Sequence, residues 1–162
     1  MYHQYAIRQI QESDWPAIVS IQSEVYTTVE PETEQVLRSK VRLGKQFCRV
    51  ITDSSEMVVG YCLAHPWDEH PIVLDTIYHE IRDSQLLYIH DLAISPQHKG
   101  KGLGQMVVES LISAAKAHSL NSIKIIALRQ ALSFWEKVNF HSKKVNVDAC
   151  YGDDAVVMIR NL

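Results

Sequence analysis

Three glycines at alternate positions, Gly100, Gly102 and Gly104, lie in the run Gln97-His98-Lys99-Gly100-Lys101-Gly102-Leu103-Gly104. Glycine permits positive φ and a close backbone approach. A helix that starts just after such a turn points free N–H groups and the positive end of its dipole at whatever sits there. Lys99 and Lys101 add two ammonium groups at the same place. The chemistry suits a phosphate or pyrophosphate. Just upstream, Tyr88 and His90 stand two residues apart in an apolar run, a spacing that puts them on one face of a strand. Imidazole, with an ordinary pKa of about 6.5, is fitted to remove a proton at neutral pH. Without a site around it, His90 would be a satisfied, half-buried strand residue.

The elements that must position these groups are readable. Leu86–Ile94 reads as a strand that stops at Ser95-Pro96, and after the glycine turn Leu103, Met106, Val107, Leu111, Ala114, Ala115 and His118 recur at helical spacing. Upstream, Tyr5–Ile10 alternates as a strand. Ser13 or Asp14 is expected to cap a helix through Val25, and Thr33 to open another that Gly44 closes. Phe47–Thr52 and Val58–His65 predict a hairpin turning at Asp53-Ser54-Ser55-Glu56. Downstream come a strand at 122–128, a short helix at 130–138, and strands near 140–147 and 155–160. Pro66–Ser84 is irregular and long for a connection, so it is expected to line a substrate pocket. His65-Pro66-Trp67 at its start either lines that pocket or is a strand end with a buried aromatic.

Two nucleotide motifs fail here. The glycines read G-x-G-x-G rather than G-x-G-x-x-G, Lys124 stands where the dinucleotide fingerprint needs an acid, and no Gly-Lys-Ser/Thr follows the turn. The pattern that fits is Gln/Arg-x-x-Gly-x-Gly/Ala, met by Gln97, Gly100 and Gly102. Together with the strand before it and the helix after it, this resembles the acetyl-CoA loop of the GNAT-type N-acetyltransferase superfamily. A second block, Ala131-Leu132-Ser133-Phe134-Trp135-Glu136-Lys137-Val138-Asn139-Phe140, is similar to the superfamily's Asn-x-x-Ala-x-x-Phe-Tyr-x-x-x-Gly-Phe at Ala131, Phe134 and Phe140. It departs at Leu128, Trp135 and Asn139. Asparagine suits a left-handed helix end almost as well as glycine, but Trp135 replaces the tyrosine that usually protonates the leaving thiolate. The resemblance covers residues 86–141, and beyond them the order of elements alone.

The resemblance implies one domain over residues 1–162 with an α/β fold, a mixed twisted sheet flanked by helices in the order β-α-α-β-β-β-α-β-α-β-β. It also implies transfer of acetyl from acetyl-CoA to a primary amine of a small molecule or protein, directly in a ternary complex. Leu92, Ala93 and Ile94 would meet the cofactor through main chain. Gln97, His98, Lys99, Gly100, Lys101, Gly102, Leu103 and Gly104 would hold its phosphates, and Ser133 and Trp135 would approach it. His90 is the first choice of base, beside Tyr88. Asp91 would replace it if a bulge turned the strand, and is otherwise structural, bonded to a neighbouring loop. The proton donor is Tyr151, Tyr88, or no residue at all, because a thiolate leaves readily. A non-catalytic acyl-CoA sensor of the same fold is the alternative.

Composition fits one globular core: 162 residues, 46% hydrophobic and 22% charged. A net charge of −3 with mixed signs gives no basic footprint for nucleic acid, and no apolar run reaches membrane-spanning length. Cys48, Cys62 and Cys150 are odd in number and form no CxxC pair, which reads as buried, reduced thiols in a cytoplasmic protein. His3, His70, His79, His118 and His141 lack ligand spacing, so no metal is expected. Asp68, Glu69, Asp75, Glu80 and Asp83 lean mildly towards a cationic acceptor, as a solvated loop would too. Homodimers are common in the superfamily, and the sequence leaves the oligomeric state open.

Overall fold

A computed structural model describes residues 4–68, 71–80 and 83–162; His3, Glu69 and His70 lie outside them. The strands are β1 (Tyr5–Arg8), β2 (Arg49–Asp53), β3 (Val58–Pro66), β4 (Leu86–Ile94), β5 (Ser122–Ala127), β6 (His141–Lys143) and β7 (Val156–Asn161). The helices are α1 (Trp15–Val25), α2 (Glu34–Gly44), α3 (Leu103–Ala117) and α4 (Leu132–Lys137). The element order is the expected one. One seven-stranded sheet runs β1-β2-β3-β4-β5-β7-β6, with β4 and β5 parallel and the other neighbours antiparallel.

Both faces of the sheet are covered. Tyr61, Leu63 and Ala93 pack against Trp15, Ile18 and Ile21 of α1 and Leu37 of α2. On the other face Cys62, Ala64, Leu87 and Ile89 pack against Leu103, Val107 and Leu111 of α3, with Trp135 and Phe140. Leu103, Val107, Leu111 and Ala115 form the buried stripe that helical spacing predicts.

Several boundaries differ from the sequence reading, each for a local reason. β1 stops at Arg8 because Gln11 starts a 3₁₀ turn, Glu12–Asp14, closed by reciprocal hydrogen bonds with Asp14. Asp14 therefore does not cap α1 through its side chain; its carboxylate accepts from the Gln11 N–H at 2.7 Å and pairs with Arg8. β2 begins at Arg49 because Lys45–Phe47 is a 3₁₀ turn, and β6 is only three residues long. Thr33 caps α2 as expected, its hydroxyl accepting from the Val36 N–H at 3.3 Å. Asn139 takes the expected left-handed turn after α4, with φ 66°.

Gly44 is required for a different reason from the one expected. Its φ is −162°, so it is not a left-handed helix end. A Cβ there would sit 2.7 Å from the Ala64 carbonyl oxygen and 2.7 Å from the His65 Cα, because α2 ends against β3. Gly44→Ala is therefore expected to cost about 1–3 kcal/mol by overpacking, read as a lower urea midpoint with an unchanged slope.

Candidate active site

The glycine turn opens α3. Gly100 and Gly102 both have φ 75°, and Gly102 is the residue at the helix N-cap. A Cβ at either would meet nothing within 4 Å, so what requires glycine is the left-handed backbone, beside open space. Gly104 differs: its Cβ would lie 2.9 Å from the Phe134 ring, so it lets α3 and α4 pack closely. Gly100, Gly102, His98 and Lys99 line a cavity of about 380 Å³ that runs along Leu92–Ile94 to Phe134 and Trp135.

Two irregularities in β4 make room beside this cavity. Pairing with β5 covers only Leu86–Ile89 against Ser122–Ile125, so the two strands part beyond Ile89 and Ile125. On the β3 side, Ala64 pairs with Ile89 and Leu63 with Asp91, which leaves His90 as the extra residue of a bulge. One inserted residue reverses the alternation of side chains along a strand. Leu87 and Ile89 face α3, whereas Asp91 points to the opposite face to bond the Tyr61 hydroxyl, and Ala93 packs there with α1. His90 faces the same way, so consecutive titratable side chains share one side.

His90 meets a residue of the α1–α2 connection. Its Nε2 lies 2.6 Å from Oε1 of Glu32, with both side chains buried. An ionised carboxylate only accepts, so Nε2 carries the proton and a neutral His90 keeps its lone pair on Nδ1. That Nδ1 is buried and has no hydrogen-bond partner among the described residues. Burial pushes Glu32 upward, but His90, the Asp75 N–H at 2.8 Å and nearby Lys40 outweigh it and hold the carboxyl below its ordinary range. The Gln22 side-chain amide clamps the Glu32 backbone, donating to its carbonyl at 2.9 Å and accepting from its N–H at 3.0 Å. Asp75 presents its N–H from a left-handed conformation, φ 55°.

His90, Asp91, Glu32, Tyr26 and Tyr151 line a second cavity, of about 250 Å³, that shares Val25, Leu92, Lys99 and Trp135 with the first. Tyr26 donates to the Leu92 carbonyl at 3.0 Å. The N–H and C=O of one strand residue leave on the same side, so the Leu92 N–H also faces the gap left by β5. Tyr151 is buried, with its hydroxyl beside that of Tyr88. Burial drives the pKa of both phenols up, so they keep their protons at neutral pH.

A family model described as the acetyltransferase (GNAT) family matches residues 5–140. The chain belongs to that family. The fold is shared by Ard1 from Thermoplasma volcanium, at TM-score 0.80 and 17% identity over 98% of each chain. It is also shared by the PaiA N-acetyltransferase of Thermoplasma acidophilum in complex with coenzyme A, at TM-score 0.74 and 11% identity over 98% of this chain and 99% of that one. Arabidopsis thaliana Naa50, bound to the bisubstrate analogue CoA-Ac-MVNAL, gives the same four values. No curated protein matches the chain in sequence.

Most residues named from the sequence lie on the two cavities, and some do not. Leu92, Ala93, Ile94, His98, Lys99, Gly100, Gly102, Leu103, Gly104 and Trp135 line the glycine-turn cavity. Ser133 is exposed on α4 and lines neither cavity, because α4 turns Trp135 inward and leaves Ser133 outside. Gln97 accepts from the Ser95 hydroxyl at 2.5 Å and shapes the turn. Lys101 donates to the Tyr5 hydroxyl at 3.0 Å. Asp91 bonds Tyr61 of β3 rather than a loop. His65 and Trp67 are buried without lining either cavity, and of the described loop that follows, Leu74 reaches the wall. Cys150 is exposed, accepting from the Leu74 N–H, whereas Cys48 and Cys62 are buried as expected. Sequence reasoning missed Glu32, Gln22 and Tyr26. A buried-looking Glu after Pro31 gives no local signal that it will meet His90. Among the described residues no group of three or more His, Cys, Asp or Glu is placed to hold a metal.

Burial raises Asp91 from 3.8 to about 6, against the Tyr61 hydrogen bond and nearby His90, which favour its charge. The folded state thus holds this proton more tightly than the unfolded chain. Its contribution is fully present below about pH 3.8 and is lost as pH rises through about 6. Asp91→Asn removes that dependence. From about pH 4 to about pH 7, the stability of the variant relative to the parent is expected to rise by on the order of 2 kcal/mol, measured by urea denaturation at both.

Proposed function

We propose that the protein is an acetyl-CoA-dependent N-acetyltransferase that acylates a primary amine directly, with both substrates bound together. The observation that carries this reading is the junction of the two cavities. One has a glycine-lined helix N-terminus with Lys99 and unfilled space at Gly100 and Gly102, which fits the diphosphate of coenzyme A. The other holds the His90 Nδ1, which no described residue hydrogen-bonds, and the buried phenol of Tyr151.

Acetyl-CoA supplies an activated acyl group as a thioester. The chain's own residues then have three tasks. The Leu92 N–H, on the strand edge that β5 abandons, is available to the developing oxyanion. His90 Nδ1 takes the proton that the attacking nitrogen loses, and Glu32 stabilises the imidazolium through Nε2. Tyr151 offers its hydroxyl to the departing sulfur from the connection before β7, the role that Trp135 cannot perform. Overall one C–N bond forms, one C–S bond breaks, and the amine's proton leaves by His90. A sensor of the same fold would need none of these groups.

The test is release of CoA thiol on offering a panel of primary amines with acetyl-CoA. His90→Ala is expected to lower kcat/KM by roughly 10²–10⁴-fold while CoA still binds by calorimetry. Tyr151→Phe is expected to lower kcat more than it raises KM. Binding of CoA without turnover of any amine would make the chain a sensor, and a full rate in His90→Ala would remove that residue from the mechanism.

A further inference from the structure

The wall of the acceptor cavity carries three carboxylates and one ammonium. Glu32 and Asp91 are buried in it, Glu30 is exposed on the α1–α2 connection at its mouth, and Lys99 stands at the junction with the cofactor cavity. The remaining wall is largely apolar, with Val25, Val29, Leu74 and Leu128. Glu32 is engaged by His90 and Asp75, and Asp91 by Tyr61. Glu30 makes no hydrogen bond or ion pair with any described residue. The cavity bears a second, independent mark of a ligand, because the buried His90 side chain keeps Nδ1 without a hydrogen-bond partner among the described residues.

On the acetyl-transfer reading, on which this rests, we infer that the acceptor is an aliphatic amine with a second positive charge and no carboxylate, a terminal diamine in its simplest form. An ammonium enters an apolar-walled cavity at a severe desolvation cost unless anions face it, and here they do. A substrate carboxylate would meet Glu30, Glu32 and Asp91 with Lys99 on the wall and Lys40 near Glu32 to offset them. The methylenes lie against Val25, Val29, Leu74 and Leu128, the reacting nitrogen goes to His90, and the far ammonium stays protonated at Glu30. That far charge also lowers the proton affinity of the near amine, which must be neutral to attack.

A matched trio separates the terms: terminal diaminopentane, pentylamine and aminopentanoate share one chain and differ at the far end. The diamine is expected to exceed pentylamine in kcat/KM by roughly two- to fivefold, the scale of one solvent-exposed ion pair, and aminopentanoate to be slowest. Glu30→Gln is expected to bring the diamine-to-monoamine ratio towards one, and so is raising salt to about 1 M. Diamines shorter and longer by a few methylenes guard against a mismatch in length. A ratio near one in the parent, an unchanged ratio in Glu30→Gln, or a neutral dipeptide amide outrunning every diamine would each overturn this inference and leave acetyl transfer standing. No turnover of any amine, with CoA still bound, would overturn both readings together.

Discussion

One inserted residue in β4 governs the geometry of the site. In a regular strand His90 and Asp91 would point to opposite faces, and only one could reach the space beside α1. The bulge at His90 puts both on that side and shifts Leu92 and Ile94 towards α3. The same stretch loses its partner, because β5 pairs no further than Ile125 with Ile89. A strand with free main-chain groups is ordinarily a liability inside a sheet. Here the gap leads straight into the glycine turn at the N-terminus of α3, so exposed backbone and helix end face one continuous space.

The Glu32–His90 pair illustrates how a buried charge is kept. Taking a carboxylate out of water is costly unless its lone pairs are filled, and a single partner rarely suffices. Glu32 gains His90 at one oxygen and the Asp75 N–H at the other, with Lys40 close enough to contribute. Holding it there takes Gln22, whose amide satisfies both backbone groups of Glu32 as a neighbouring strand would. Lys40 donates to the Thr76 carbonyl at 2.9 Å and lies over the Tyr78 ring, so α2 fixes the segment that carries Asp75. Burial lowers Lys40 to about 8, against the pull of Glu32. Several segments thus converge on one carboxylate, and loosening any of them alters the setting of the His90 imidazole.

What the sequence made legible was local. The glycine turn, its helix, the strand before it, the Thr33 cap and the left-handed Asn139 follow from residue type and spacing within a few positions. The glycine-turn cavity was therefore foreshadowed by local spacing, since its lining comes from that turn and the two elements beside it. Glu32 was not, because it meets His90 only after a sheet register, a bulge and a loop path are all fixed. Asp91 was read as a loop partner for the same reason, since its face depends on the bulge. Ser133 lies on the exposed side of α4, outside both cavities, because that helix turns Trp135 inward. Gly44 closes α2 as expected, but the approach of Ala64 and His65, from a strand that follows it in the chain, is what demands glycine there.

The departure at Trp135 becomes intelligible in the same terms. Trp135 is buried between Phe134 and Phe140, with ring centroids 5.0 Å from each, and it forms wall common to both cavities. An indole there closes the junction with apolar surface and offers no ionisable hydrogen, so any proton donor must come from elsewhere. Tyr151 arrives from the connection between β6 and β7, held by the Asp148 carboxylate that accepts from the Cys150 N–H at 2.9 Å. Because β7 lies beside β5 rather than β6 alone, that connection returns over the gap between β4 and β5. The sheet order, rather than the helix that follows β5, is what brings a phenol into the cavity that His90 and Trp135 line.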